Sequence, residues 1–156
     1  MSTTPSQTLD HAGIAARVPH AGAMCLLDRL LAWDAAGVRC SAVSHADPAN
    51  PLRSAGGLLA PCAIEYAAQA MALHGALAAP AGRAPAPGFL ASARNVRLHV
   101  ARLDDVPGAI EIEVAKIAGD ERQALYRFAL RAADGRALVD GRAAVVLNTP
   151  LPEPLR

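Results

Sequence analysis

One segment, residues 60–77 with the sequence APCAIEYAAQAMALHGAL, constrains the fold of this chain more than any other. It is apolar and rich in alanine, and Pro61 stands near its first turn, where a missing N–H costs nothing. Alanine, methionine and leucine favour a helix that continues to about residue 78. Because proline and polar residues interrupt the run and alanine is only weakly hydrophobic, the pattern predicts a buried helix rather than a membrane span. Glu65 is its only formal charge.

The chain changes its period after a Pro/Gly-rich connector at residues 79–88. The sequence IEIEV at residues 110–114 alternates strictly, which is typical of a strand with one face in water. Asp134-Gly135 is a strong hairpin signal. The patterns predict strands at 38–44, 89–100, 109–118, 123–133 and 137–147, a strand or helix at 24–34, and a short helical turn at 11–18.

These elements predict an α+β fold in which a curved antiparallel sheet wraps around one long central helix. The small alanine side chains of the helix allow the sheet to approach it closely. A length of 156 residues suits a single domain. We predict a core at about residues 14–147, a flexible N-terminus at 1–10 and an irregular, proline-rich tail at 148–156. A sheet this small often needs a partner to cover its free edge and remaining apolar face.

The composition argues against several classes of protein. A net charge of +1 and 3% aromatic residues argue against nucleic-acid binding, which needs a positive field and rings for base stacking. The three cysteines show no CxxC spacing, so we predict neither a zinc site nor a disulfide framework, but buried free thiols in a reducing cytoplasm. Cys62 has no base beside it and is interpreted as a small buried side chain.

Three segments, in this order, resemble one known family. Residues 18–34 (VPHAGAMCLLDRLLAWD) resemble its opening Pro-His segment and first strand. Residues 50–72 (NPLRSAGGLLAPCAIEYAAQAMA) resemble its loop and central helix, and residues 88–115 (GFLASARNVRLHVARLDDVPGAIEIEVA) its strand, basic turn and Pro-Gly turn. Together they resemble the hotdog fold and, within it, the 3-hydroxyacyl-ACP dehydratases, especially the dehydratase-like proteins of aryl-polyene and fatty-acid-like pathways. The resemblance covers about residues 14–147.

One of the two catalytic residues of that family carries over directly. Glu65 and Gln69 match its Ile-Glu-x-x-Ala-Gln signature, whereas residues 50–61 contain no counterpart of its loop histidine. An ionised carboxylate among apolar side chains is poorly solvated, and a neutral carboxyl can protonate a departing hydroxyl. The alternative is a wet helix face with an ordinary glutamate. With the resemblance, we assign Glu65 as the acid.

Removal of the C2 proton needs a base, and His20 is our candidate. It follows a rigid proline and precedes a flexible Ala-Gly step, and its segment resembles one near the mouth of the family's tunnel. A structural or solvent-facing histidine is the alternative. His45 is a second candidate, whereas His74 is nine residues from Glu65 and so on the opposite face of the helix. His11 falls in the loose start and His99 on a strand surface.

Further residues are assigned to binding. Backbone N–H groups of the glycine loop before the helix are candidates to hold a thioester oxyanion, and Gln69 lies one helical turn from Glu65. The predicted substrate-binding residues are therefore Gly57, Leu58, Ala60 and Gln69. Arg94, Arg97 and Arg102 are candidates for docking an acidic carrier protein or a phosphopantetheine phosphate, the alternative being a solvated basic face.

The resemblance implies dehydration of a 3-hydroxyacyl thioester, carried on acyl carrier protein or coenzyme A, to the trans-2-enoyl thioester. It implies no metal or cofactor beyond the phosphopantetheine that carries the substrate. It also implies a homodimer, or a heterodimer with another hotdog chain. Two alternatives stay open: a non-catalytic hotdog subunit that supports an active partner, and an acyl thioesterase.

Overall fold

The structure, a computed structural model, describes residues 7–82 and 88–147. The predicted tail at 148–156 therefore lies outside the described residues, as do residues 1–6 and 83–87. The helices and strands, in chain order, are α1 (His11–Ala15), β1 (Arg29–Trp33), β2 (Gly37–Ala42), α2 (Ala63–Ala78), β3 (Gly88–Leu98), β4 (Ile110–Gly119), β5 (Gln123–Arg131) and β6 (Ala137–Leu147).

The six strands form one antiparallel sheet in the order β1-β2-β4-β5-β6-β3, and α2 packs against its inner face. This is the hotdog fold that the resemblance implies. The 24–34 segment, for which strand and helix were both open, forms a single turn at Gly22–Met24 followed by β1. Strand β3 is 11 residues long and occupies one edge of the sheet.

Alternation along the strands builds the core. Ile110, Ile112 and Val114 of β4 are buried against α2, whereas Glu111 and Glu113 between them lie on the outer face. The predicted wet face of this strand is confirmed. The predicted hairpin at Asp134-Gly135 is also confirmed, since it joins the paired strands β5 and β6.

The start of the domain is better ordered than the predicted flexible segment 1–10 suggests. The carbonyl of Leu9 accepts a hydrogen bond from the N–H of Leu30 at 2.9 Å, which adds a bridge to the edge strand β1. Asp10 caps α1 by accepting from the N–H of Gly13 at 2.9 Å. Leu9 and Asp10 thus make hydrogen bonds, one to the distant Leu30 and the other to Gly13, within the segment that is predicted to be flexible. None of the helices in the described ranges is long and apolar enough to cross a membrane.

A buried histidine ties the far end of α2 to the sheet. The side chain of His74 is 2% exposed; Nε2 donates to the carbonyl of Asp34 at 3.0 Å, and Nδ1 accepts from the hydroxyl of Tyr126 at 2.8 Å. Burial, the largest cause, lowers the pKa of His74 from its ordinary value of 6.5. The imidazole is therefore neutral in the folded protein, and this contact is structural.

This histidine predicts an acid-sensitive fold. Below pH 6.5 the unfolded chain protonates His74 while the folded chain resists, so the free energy of unfolding is highest above that pH and falls as the pH drops toward the lowered value. We expect a slope approaching about 1.4 kcal/mol per pH unit in urea unfolding experiments. His74→Gln should flatten that part of the slope, because it removes the buried group that titrates there. An unchanged slope in His74→Gln contradicts the prediction.

Candidate active site

The first turn of α2 brings the two predicted catalytic residues together. Nε2 of His20 lies 3.0 Å from Oε1 of Glu65 within one chain, although 45 positions separate them in the sequence. His20 sits in the segment that leads into the turn at Gly22–Met24, and that segment passes over the helix start. The pair is within hydrogen-bonding distance, which is the arrangement that shared proton transfer requires.

Gln69 holds Glu65 in place by hydrogen bonds from the interior of the protein. Its side chain is fully buried, its Oε1 accepts from the N–H of Leu26 at 2.9 Å, and its Nε2 donates to the carbonyl of Met24 at 2.6 Å. The same Nε2 donates to Oε1 of Glu65 at 3.2 Å. In this structure all its polar atoms are engaged and none is exposed, and its contact with substrate stays a prediction. It is a positioning residue for Glu65 and for the segment that follows His20.

The site is more open than a carboxylate sealed in an apolar channel. The side chain of Glu65 is 32% exposed and that of His20 is 25% exposed. Oε1 of Glu65 is held by two nitrogen atoms, whereas Oε2 has no hydrogen-bond partner among the residues described. Nδ1 of His20, by contrast, is buried and has no partner in the described part of the chain. The exposed reactive atom is thus a carboxylate oxygen.

The loop before α2 does not present the backbone donors that the sequence suggested. The N–H of Gly57 donates to the carbonyl of Ser54 at 3.0 Å, that of Leu58 to Oδ1 of Asp104 at 2.9 Å, and that of Ala60 to the carbonyl of Ala101 at 3.0 Å. All three N–H groups are therefore used within the fold. Loop pairing engages these donors in this structure, and the oxyanion contacts of Gly57, Leu58 and Ala60 stay predictions.

Comparison with known proteins identifies the family of this chain. The family model of the ApeP-like dehydratases matches residues 12–153. This chain belongs to the ApeP-like dehydratase family. No curated protein matches the sequence.

Solved structures place the ApeP-like chain among hotdog proteins. The dehydratase heterocomplex ApeI:P from Xenorhabdus doucetiae is 23% identical, with a TM-score of 0.77 over 87% of this chain and 91% of that one. A mutant thioesterase from Pseudomonas aeruginosa is 16% identical, with a TM-score of 0.66 over 93% and 97%. A thioesterase from Haemophilus influenzae is 10% identical, with a TM-score of 0.59 over 95% and 96%. At these identities the likeness shows the fold.

An aspartate braces the loop of this ApeP-like chain. Asp104, whose side chain is 4% exposed, accepts from the N–H of Leu58 and from Nε of Arg102 at 2.9 Å each. Arg102 also forms an ion pair with it, and Nη2 of Arg53 lies 3.4 Å away. The hydrogen bond from Arg102, the largest cause, lowers the pKa of Asp104 far below its ordinary range. Sequence analysis missed this brace, because Arg53 and Asp104 are 51 positions apart.

Gly57 shows how tightly this loop is built. Its φ of 96° lies in the left-handed region, and an added Cβ would approach Oδ1 of Asp104 to 2.6 Å. We expect Gly57→Ala to lower the free energy of unfolding by about 2 kcal/mol, measured by urea denaturation. Gly56→Ala is the matched control, since a Cβ there meets nothing closer than 3.7 Å. Equal stability of the two variants contradicts this account.

A second network, also missed, lies beside Glu65. The hydroxyl of Tyr66 donates to Oγ of Ser44 at 2.8 Å, and Ser44 in turn donates to the carbonyl of Leu26 at 2.8 Å. Nδ2 of Asn50 donates to the Tyr66 hydroxyl at 3.1 Å. A tyrosine within an apolar helix is the available signal, because a buried hydroxyl needs partners. The network fixes the loop that precedes the helix.

The remaining histidines lie elsewhere. His45, the second candidate for the base, is 1% exposed, and its Nε2 donates to the carbonyl of Val106 at 3.0 Å. His99 lies 2.7 Å from Asp140 on the sheet surface, and Nδ1 of His11 lies 2.8 Å from the carbonyl of Leu27. None of the three contacts Glu65 in the described residues. His20 is thus the histidine that the fold brings to the carboxylate.

The predicted basic cluster divides in two. Arg94 and Arg97 are both exposed on the outer face of β3, because a bulge between them, with Asn95 at φ 52°, returns the second arginine to the same face. Arg102 lies beyond the strand and is occupied by Asp104. The third arginine thus braces the loop, and carrier docking by Arg94, Arg97 and Arg102 stays a prediction.

Proposed function

We propose that this ApeP-like chain dehydrates 3-hydroxyacyl thioesters to trans-2-enoyl thioesters. The observation that carries the proposal is the contact between Nε2 of His20 and Oε1 of Glu65 at 3.0 Å, in a chain of a dehydratase family. Glu65 matches the signature carboxylate of the family. His20 supplies a nitrogen base although the usual loop histidine is absent from residues 50–61.

The two residues divide the proton transfers. Glu65, protonated on its free oxygen Oε2, donates to the C3 hydroxyl, which leaves as water. On substrate binding, Nε2 of His20 parts from Oε1 and faces C2. It takes the C2 proton, and the electron pair of the broken C–H bond forms the C2–C3 double bond as the C3–O bond breaks. The imidazolium and the carboxylate then meet again as a favourable ion pair. Transfer of the Nε2 proton to Oε1, followed by exchange of the carboxyl proton onto Oε2 through water, restores the starting state.

We further propose that the ApeP-like chain works beside a second hotdog chain. In the described residues β3 is a long edge strand, and pairing with a strand of another chain would satisfy the backbone groups on its outer side. The partial exposure of Glu65 and His20 leaves room for a partner to close the site. The related heterocomplex ApeI:P supports a second, different chain over a second copy, although a homodimer meets the same structural need.

The substrate carrier is proposed to be acyl carrier protein or coenzyme A, through phosphopantetheine, with no other cofactor. Arg94 and Arg97 are exposed and remain proposed contacts for an acidic carrier or its phosphate. The three cysteines are free thiols, which suits a reducing compartment, and we propose the cytoplasm. An aryl-polyene or fatty-acid-like pathway is the proposed setting, in line with the family.

Product analysis tests the proposal. The purified chain, alone and with a co-expressed hotdog partner, is incubated with a 3-hydroxyacyl thioester, and the products are identified by mass spectrometry. Loss of one water with the thioester intact supports dehydration. Release of the free acid indicates a thioesterase, since a carboxylate beside a thioester can also direct water. An unchanged substrate in both preparations contradicts the proposal.

A second candidate function is a non-catalytic subunit of an active dehydratase. The burial of Nδ1 of His20 and the engagement of its Nε2 with Glu65 favour it, because the imidazole then has no nitrogen free for substrate. Activity that appears only with the partner, and that survives Glu65→Gln, would support this role. Activity of the chain alone would exclude it.

A further inference from the structure

Three arginines lie side by side on the outer face of the sheet, away from the helix and from Glu65. Arg142 of β6 is directly opposite Arg94 of β3 on one side and Arg127 of β5 on the other. All three side chains are exposed. Like charges directly opposite each other on neighbouring strands destabilise a sheet. We define these residues as the arginine row.

Neighbouring charges on the same face have acidic partners, and the arginine row does not. Arg39 lies 3.5 Å from Glu111, and Arg131 lies 3.6 Å from Glu113. Within residues 7–82 and 88–147, no carboxylate is within ion-pair distance of the arginine row. Asp140, two residues from Arg142 on the same face, is paired with His99 instead. Among the described residues the three adjacent positive charges therefore have no carboxylate at ion-pair distance, and an external anion would relieve their repulsion.

Apolar residues border the arginine row on the side of the β4–β5 turn. Leu125 is opposite Ala144, and Val146 is opposite Phe89, on the same outer face as the arginines. These four side chains are partly exposed and do not pack on the core, and Ile117 nearby is 43% exposed. We define the five residues as the apolar strip. A partner for the whole surface must present negative charge beside apolar groups.

The spacing identifies the shape of that partner. Neighbouring strands are about 4.8 Å apart, so the arginine row repeats at nearly the 5.4 Å pitch of an α-helix laid across the strands. Carboxylates one turn apart on one stripe of such a helix meet the three guanidinium groups in succession. On β5 and β6 the apolar strip begins two residues from the arginine row, at Leu125 and Ala144, about 7 Å away, which suits the next stripe of the helix.

We propose that the arginine row and the apolar strip bind an acidic, amphipathic helix of a partner protein. A second copy of this chain fits less well, because a two-fold axis through the row would place arginines against arginines. The surface is on the opposite side of the sheet from His20 and Glu65. Arg94 belongs both to this surface and to the proposed carrier contacts, whereas Arg127 and Arg142 do not, so the proposal does not rest on the dehydratase activity.

A synthetic helical peptide tests the proposal, with glutamates one turn apart on one stripe and leucines on the adjacent stripe. Its binding to the full chain is measured by fluorescence anisotropy at low salt, beside a peptide with glutamine at each glutamate position. We expect at least about tenfold tighter binding of the acidic peptide. Arg142→Gln should weaken that binding about tenfold, and Arg39→Gln, on the same face but paired with Glu111, should leave it unchanged.

Arg142→Gln should also raise the melting temperature of the free chain, because it removes the central repulsive charge, and this shows that the variant is folded. Equal binding of the two peptides, or equal binding by the two variants, overturns the proposal. A change of oligomeric mass in Arg142→Gln assigns the surface to a second copy and overturns it as well. The proposal is also overturned if anionic phospholipid vesicles bind in a way that depends on Arg142 and the acidic peptide does not bind.

Discussion

Glu65→Gln is expected to lower the rate of dehydration about 10³-fold, with little change in stability. The amide keeps the shape of the side chain, and its oxygen still accepts from Nε2 of Gln69, so the local structure is preserved. What the variant loses is the free oxygen Oε2 that carries the proton to the leaving hydroxyl. Proton transfer by a positioned side chain contributes on the order of 10²–10⁴-fold to a rate. The measurement is kcat/KM for a 3-hydroxyacyl thioester.

The control for this prediction is Glu113→Gln, which removes a glutamate from the outer face of β4, and it should keep full activity. Thermal melts of both variants separate a chemical effect from an unfolding effect. Because Glu65 Oε1 contacts His20, His20→Ala should also lower the rate. The double variant should lose less activity than the product of the two single fold-losses, as expected of residues that act as a unit. Full activity of Glu65→Gln in the partner complex would assign the chemistry to the partner.

The fold was predictable because its strongest signals are local. Alternation in IEIEV, the hairpin at Asp134-Gly135 and the apolar run at 60–77 each report on one element. The resemblance then supplied their arrangement. Strand bounds agree within a few residues, as for β3 at Gly88–Leu98 against the predicted 89–100. Leu9 was missed because its order comes from a bridge to Leu30, a distant residue that no local pattern indicates.

The candidate site was predictable in part for the same reason. Glu65 stands out as a lone charge, and His20 was chosen from its segment, but their separation depends on how residues 18–26 cross the helix. Gln69 was placed on the correct face by helical spacing. Its role in holding Glu65 was missed because spacing does not reveal that Met24 and Leu26 take its hydrogen bonds. The type of a residue and its neighbours in the sequence do not specify which polar groups of the folded chain compete for its hydrogen-bond donors.

The hydrogen-bond partners of the loop N–H groups were not predictable for a related reason. A glycine pair before a helix indicates a turn, and the sequence correctly places one at Gly56-Gly57. Whether its donors are free depends on Asp104 and Ala101, which reach the loop only in the folded chain. The positioning residues around Glu65 are thus the part of the site that single-sequence reasoning recovers least, because each acts through a long-range contact.

Gln69→Glu is the strongest test of how Gln69 positions Glu65, since it replaces only the side-chain NH2 group by an oxygen at a fully buried site. It replaces the Nε2 donor with an acceptor that faces the carbonyl of Met24 and Oε1 of Glu65, both acceptors themselves. An uncompensated buried charge of this kind costs about 4 kcal/mol. At roughly 3 °C per kcal/mol for a chain of this size, we expect the melting temperature to fall by about 10 °C at pH 8.

The pH dependence of this loss separates positioning from simple damage. At pH 5 the introduced carboxyl can bind a proton and donate to the Met24 carbonyl, so the folded state gains protons relative to the unfolded state. The deficit should therefore shrink as the pH falls. Gln69→Leu removes the same hydrogen bonds without a charge and should show a deficit with no such dependence. Gln7→Glu, at an exposed position, should show neither. A deficit in Gln69→Glu that is equal at both pH values would mean that Gln69 does not hold these groups by donation, and the clamp on Glu65 would lose its basis.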